Sequence, residues 1–224
     1  KFVCVVGNSG SGKSSLVRAG VLPKLRSDDS DKWHICSMRP GADPVRSLFE
    51  SIFVDSSIVR DRSDLVPEIE VLQKNTKGLI QAVRPFLVDG SKLLILADQF
   101  EELFRFIAEE EEADLDRATH FVNLLLEASA EKSIDIHVMM TIRSDFLGDC
   151  ERFYGLPEAI NDAQFLVPRL NRKELQRIIE APVQYAGAKI SPRLVQILLN
   201  SIGTKTDLLP LLQHLLNRLW STWE

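Results

Sequence analysis

Residues 2–14 constrain the fold more than any other part of the chain. Phe2-Val3-Cys4-Val5-Val6 is a short, fully apolar run rich in β-branched residues, the pattern of a central parallel strand. Gly7-Asn8-Ser9-Gly10-Ser11-Gly12-Lys13-Ser14 follows it without a break. Ser14-Ser15-Leu16-Val17-Arg18-Ala19 then reads as the opening of a helix, with Gly20 expected to stop it. The loop fits G-x-x-x-x-G-K-[ST], and each residue type in it has a physical reason. Glycines and small serines let backbone N–H groups turn inward and line an anion nest. Lys13 is placed to reach β- and γ-phosphates, the Ser14 hydroxyl to ligate Mg²⁺, and the helix N-terminus adds partial positive charge. Gly7 through Ser15 are therefore the candidate phosphate-binding residues. A chance match in a chain of this length has odds of roughly one in a hundred. A Gly/Ser-rich linker that fits by accident would not lie between a buried strand and a helix.

A second stretch supplies the metal side of such a site. Lys92-Leu93-Leu94-Ile95-Leu96-Ala97-Asp98 is an apolar run closing on a carboxylate, the Walker B arrangement. The carboxyl end of a buried parallel strand is where an α/β sheet presents ligands, so Asp98 is the candidate Mg²⁺ residue together with Ser14. Gln99-Phe100-Glu101-Glu102-Leu103-Phe104 follows. Glu101 is the first candidate for orienting or deprotonating an attacking water, Glu102 the second, and Gln99 a water-positioning amide. The alternative is that these glutamates only favour the positive end of a helix. A further strand, 134–143, ends at Arg143, where a guanidinium is placed to sense γ-phosphate. Its alternative role is that of a strand-end arginine paired with Asp145 or with solvent.

Between these stretches, Trp33 to Met38 reads as a second strand, and Asp43-Pro44 as N-cap and first residue of an amphipathic helix carrying Val45, Leu48, Phe49, Ile52 and Phe53. Ser63 to Phe86 has a looser helical pattern through Leu65, Ile69, Leu72, Leu79, Ile80 and Val83. The acidic run from Glu109 to Asp116 reads as a solvated helix end or loop, before a helix reaching Ala130. Asp145 begins a short helix, and Gln164 to Val167 reads as a fifth strand. From Asn171 onward every segment is helical: Lys173 to Val183, with Pro182 expected to end or bend it, then Pro192 to Ile202, then Leu208 to Trp223. The expected division is a core of 1–167 and a helical lobe of 168–224.

Composition sets the outer limits. A formal net charge of −5 and a pI near 5.5 argue against a general nucleic-acid surface. No run of eighteen apolar residues is long enough for a membrane span. Cys4, Cys36 and Cys150 lack metal-like spacing and read as reduced, buried thiols of a cytoplasmic protein. His34, His120, His137 and His214 are too scattered to suggest a metal site. Lys1 opens directly on the core strand and Glu224 falls within a helical pattern, which reads as a segment of a larger multidomain protein.

With these motifs in view the chain resembles the STAND class of P-loop ATPases, and most closely the bacterial novel-STAND branch found in conflict systems. Gly7 to Gly20 is similar to that branch's extended P-loop, and Arg39-Pro40-Gly41 with Pro44 to its segment after the second strand. Asp98-Gln99-Phe100-Glu101-Glu102-Leu103-Phe104 resembles its Walker B extension, and Thr141-Ile142-Arg143-Ser144-Asp145-Phe146 its sensor strand end. Leu209-Pro210-Leu211-Leu212 resembles the proline motif by which the helical lobe touches nucleotide; Leu208 stands where the family often has glycine.

The resemblance implies an α/β P-loop NTPase core with a five-stranded parallel sheet in the order 5-1-4-3-2 and an all-helical C-terminal lid. It implies an ATP-driven switch. ADP holds a closed monomer, and exchange for ATP opens the lid and permits homo-oligomerisation. Covalently linked sensor and effector domains lie outside residues 1–224. ATP or ADP and Mg²⁺ are the implied cofactors, Lys13, Asp98, Glu101, Glu102 and Arg143 the catalytic candidates, and Pro210 a nucleotide contact. Neither a membrane nor a nucleic acid is an expected partner. A GTPase would carry Asn-Lys-x-Asp and a transporter ATPase Leu-Ser-Gly-Gly-Gln, and the sequence has neither. An assembly module with negligible turnover and an AAA+ motor remain as alternatives.

Overall fold

Five apolar runs pair into one parallel sheet: β1 (Phe2–Gly7), β2 (Trp33–Met38), β3 (Lys92–Ala97), β4 (Ile136–Arg143) and β5 (Gln164–Leu166), ordered β2-β3-β4-β1-β5. This is the order that the family resemblance implied. The computed structural model describes residues 1–27, 32–55, 58, 69–87, 90–107, 112–202 and 209–222. The expected loop at 28–31, Leu65 of the looser helical pattern, Glu109 to Glu111 of the acidic run, the Gly203 joint, Leu208 and Trp223 lie outside those residues.

Register decides what the sheet can present. Met38 of β2 is level with Ala97 of β3, and Ala97 with Met140 of β4. The residues immediately beyond them, Arg39, Asp98 and Thr141, therefore emerge along one edge. Leu93 to Ala97 are all buried, which is why β3 reads as a continuous apolar run without alternation.

The chain divides into two compact units, the first comprising 1–6 and 13–166, the second 7–12 and 167–224. In the first unit, the helices α1 (Lys13–Ser15) and α2 (Leu22–Arg26) are joined by a π-helical stretch, Leu16–Val21. The expected stop at Gly20 is thereby overturned. The Leu22 N–H bonds the carbonyl of Val17, five residues back, and Pro23, which has no N–H to donate, follows it in the first turn of α2. In α3 (Pro44–Phe53) the Asp43 side chain accepts from the Arg46 N–H at 3.1 Å, the cap that the sequence indicated.

The looser pattern after residue 63 does not form one helix. Its described part is split into α4 (Glu70–Lys74), α5 (Gly78–Val83) and a 3₁₀ turn, Arg84–Phe86, because Asn75 is extended and breaks the run. After α6 (Glu102–Ile107), α7 (Glu112–Ala130) buries Phe121, Leu124, Leu125 and Ala128 and packs on β4. Two 3₁₀ turns, Ser144–Phe146 and Gly148–Arg152, and α8 (Leu156–Asp162) lead to β5. Cys4, Cys36 and Cys150 are buried, and burial raises the thiol pKa of Cys4 and Cys150 to about 12.

The second unit has its own core: Leu175 and Ile179 of α9 (Arg172–Tyr185), Val195, Leu198 and Leu199 of α10 (Pro192–Ile202), and Leu212 of α11 (Leu209–Ser221). A capping box starts α9. The Asn171 side chain accepts from the Lys173 and Glu174 amides, and Glu174 accepts from the Asn171 N–H at 2.7 Å. Pro182 does not end this helix, which continues to Tyr185. Its ring removes one rung of the hydrogen-bond ladder, the bond that an N–H at this position would give to the Ile178 carbonyl.

The joint between α4 and α5 depends on a residue without a side chain. A Cβ on Gly78 would lie 2.1 Å from the Val71 carbonyl oxygen and 2.9 Å from the Leu72 Cα, both main-chain atoms. Gly78→Ala is expected to lower unfolding free energy by about 1–3 kcal/mol in urea titrations. Gly148→Ala, whose added Cβ meets nothing within 4 Å, is expected to stay near wild type.

Candidate functional site

The first unit concentrates its buried charge at the carboxyl ends of β3 and β4. Asp98 follows β3 directly and its N–H donates to the Met38 carbonyl at 2.9 Å, which fixes the main chain against β2. Its side chain is 1% exposed. Oδ1 accepts from the Thr141 hydroxyl at 2.7 Å and the Ser14 hydroxyl at 2.8 Å, while Oδ2 accepts from Arg18 Nε at 2.9 Å. Burial pushes this carboxyl up. The hydrogen bonds from Thr141, Ser14 and Arg18 outweigh it and hold the group below its ordinary 3.8. The carboxylate form is thus stabilised within the fold.

The turn after Asp98 is held just as firmly. The Gln99 N–H donates to Thr141 Oγ1 and the Phe100 N–H to the Thr141 carbonyl, each at 2.9 Å. Gln99 has φ +57°, a left-handed conformation uncommon for a residue with a side chain. Phe100 and Phe104 anchor the segment from below: Phe100 stacks on Phe121, and Phe104 on Phe146 and near Phe153. Glu101 is thereby presented at the same edge, buried, accepting from the Arg143 N–H at 3.3 Å. Glu102 opens α6, half-buried, with Arg39 Nη1 3.9 Å from its carboxylate.

Lys13 is buried at the start of α1. Burial holds its ammonium below 10.5, and the charges that act on it are Glu101, then Arg143, Asp145 and Asp98. Lys13, Ser14, Asp98, Glu101 and Arg143 therefore form one electrostatic neighbourhood. Arg143 is paired with Asp145, through Nε–Oδ1 at 3.0 Å and Nη2–Oδ2 at 2.5 Å, and lies over the Phe146 ring. This bidentate pair is the alternative that the sequence left open for Arg143. It also holds the Asp145 carboxyl below its ordinary range.

The loop before Lys13 belongs to the second unit. Gly10 and Gly12 have φ +68° and +89°, which only glycine adopts without strain. The Ser11 N–H closes a turn on the Asn8 carbonyl at 3.2 Å, and the Ser11 hydroxyl is buried without a hydrogen-bond partner. An orphaned hydroxyl in a left-handed glycine loop fits an anionic ligand. Gly7 ends β1; Asn8, Ser9 and Ser15 are exposed. Pro210 is exposed in the first turn of α11.

Ser14 and Asp98 offer a hydroxyl and a charged carboxylate at 2.8 Å from one another, the hard oxygen pair that suits Mg²⁺ alongside phosphate oxygens. Among the described residues no three His, Cys, Asp or Glu side chains group as a metal site, and no helix is long and apolar enough to cross a membrane. Sequence reasoning passed over two members of the cluster. Arg18 lies four residues after Ser14, a helical spacing that puts both on one side. Thr141 is the lone hydroxyl residue in the apolar run of β4.

The sequence profile of the family Novel STAND NTPase 1 matches residues 1–224. No curated protein matches the chain. Among solved structures, the ADP form of the Aeropyrum pernix ORC2 protein is similar at TM-score 0.64 and 14% identity, over 92% of this chain and 52% of that one. The A. pernix ORC1 protein in complex with DNA follows at 0.61 and 13%, over 100% and 56%. The E. coli MS115-1 HORMA:CdnC:Trip13 complex gives 0.52 and 16%, over 89% and 58%. At such identities the likeness is of fold alone. The chain spans about half the length of the structures it matches.

The depressed Asp98 pKa has a sign that can be measured. A carboxyl lowered on folding stabilises the protein fully above its unfolded pKa and loses that contribution as pH falls through the folded value. Between pH 7 and 2, stability measured by urea midpoint is expected to fall more steeply below about pH 4 in wild type than in Asp98→Asn. Equal slopes would show that the ionised carboxylate is not favoured by its setting.

Proposed function

Since the chain belongs to the Novel STAND NTPase 1 family and is a nucleotide-binding NTPase module, we propose that it is an ATP-dependent switch with slow turnover. The observation that carries this reading is the convergence of Lys13, Ser14, Asp98, Glu101 and Arg143 in one electrostatic neighbourhood at the carboxyl ends of β3 and β4. Gly7 to Ser15 hold the phosphates, with Lys13 on the β- and γ-phosphates. Ser14 and Asp98 hold Mg²⁺, which when bound neutralises phosphate oxygens. Glu101 accepts the proton of the attacking water, and Glu102 is the reserve candidate. Arg143 senses the γ-phosphate.

Two features support a slow timer over a fast engine. Arg143 must exchange the Asp145 carboxylate for phosphate oxygens, one oxyanion for another, before it serves the nucleotide. Glu101 already accepts a backbone N–H and must share its carboxylate with any water. An exchange of this kind, made only when a γ-phosphate is present, also gives the switch its two states.

The family resemblance extends the proposal. Pro210 contacts the nucleotide from a helical lid formed by 168–224 over a core of 1–167, and ADP keeps the closed form. ATP permits homo-oligomerisation, and sensor and effector domains linked to this segment complete a cytoplasmic signalling or antiviral defence protein. The net charge of −5 supports nucleotide over nucleic acid as the ligand of this segment, although the similar A. pernix ORC1 protein was solved with DNA.

Two substitutions test the assignments. Lys13→Ala is expected to weaken ATP binding about a hundredfold in calorimetric titration, because it removes a buried charge-assisted contact. Glu101→Gln is expected to bind ATP as wild type does while releasing phosphate about a hundredfold more slowly. Phosphate release at the wild-type rate removes Glu101 from the role of base.

A further inference from the structure

Asp98 is served unequally on its two oxygens. Oδ1 takes two neutral hydroxyls, from Thr141 and Ser14, whereas Oδ2 takes the guanidinium of Arg18. The partners also differ in freedom. The Asp98 side chain is 1% exposed and fixed by β3, while that of Arg18 is 48% exposed and reaches in from the π-helical stretch Leu16–Val21. Of the two, only Arg18 has room to leave. π-Helical turns recur at functional sites, and this one carries the charged residue that meets the buried carboxylate.

A divalent ion on Asp98 would share its carboxylate with a full positive charge already bound 2.9 Å from Oδ2. Like charges at that range repel strongly in a buried setting. We propose that Arg18 is a built-in counter-cation of Asp98, which a divalent metal arriving with nucleotide has to displace. The ion pair and the metal are then alternatives on one carboxylate. Two consequences follow from that exclusion. Arg18 weakens the site's hold on metal, and it keeps the buried charge compensated while nucleotide is bound without metal. Arg18 is a positioning residue here, acting on the metal through Asp98 and not on the reacting atoms. The proposal rests on the reading of Ser14 and Asp98 as the Mg²⁺ ligands.

The test is the ratio of ADP dissociation constants in EDTA and in Mg²⁺, measured by calorimetry on wild type, Arg18→Gln and Arg18→Lys, with thermal melting to verify folding. Removing the competing charge is expected to raise that ratio by about tenfold in Arg18→Gln, the size of an ordinary coupling between ligands. Arg18→Lys, which keeps the charge but not the Nε contact, is expected to shift it less and in the same direction. Should Arg18→Gln fail to fold, Arg18→Lys alone decides. A ratio unchanged in the folded variants overturns the proposal, because a purely structural arginine alters stability without altering metal coupling. Wild type that binds ADP under neither condition overturns the nucleotide-site reading instead, so the two failures are told apart.

Discussion

A full negative charge sits at the carboxyl end of β3 with 1% of its side chain in contact with water, and much of the first unit is organised to tolerate it. Burying a carboxylate without compensation costs several kcal/mol. Three donors from three different parts of the chain meet that cost: Ser14 after β1, Arg18 in the π-helical stretch, and Thr141 in β4. The same Thr141 oxygen that donates to Asp98 accepts from the Gln99 amide, so carboxylate and turn are held by one hydroxyl. Removing any one donor disturbs the others, because they share two oxygens.

The left-handed Gln99 is best understood in that setting. Its conformation is unfavourable by itself, but the amides of Gln99 and Phe100 both bond Thr141, and Phe100 is locked among aromatic rings. The turn cannot relax without breaking these contacts. It reverses the chain in three residues and brings Glu101 back to the edge from which Asp98 emerges. Phe100 and Phe104 thus do as much for the site as the glutamates between them, by fixing where those glutamates point.

The strands and most helices were legible because their signals are local, whereas the strand order came from the family resemblance. β2 and α10 have the boundaries that the residue pattern indicated, and Asp43 caps α3 as its type and position suggest. The misreadings were also local in origin. Gly20 was read as a stop by residue type, but a glycine ends a helix only where the backbone turns left-handed, and here the helical run passes through it. In the site, Asp98, Lys13 and Ser14 announce themselves by motif. Arg18 and Thr141 do not, because their roles depend on register and on a π-helical turn, neither of which is written in a residue's identity. The Arg143–Asp145 pair was only one of two options in the sequence, since choosing between them requires the backbone after β4.

The strand order has a consequence for how such a chain is made. β1 lies between β4 and β5, so its partners come from residues 136–143 and 164–166, far along the sequence. A ribosome releases the apolar Phe2 to Val6 segment long before either neighbour exists. Pairing across that separation is slow, and an unpaired apolar strand is prone to aggregate. Phe2 to Val6 are consequently among the last residues to be secured, and a nascent chain arrested before β4 carries this apolar strand without either of its neighbours.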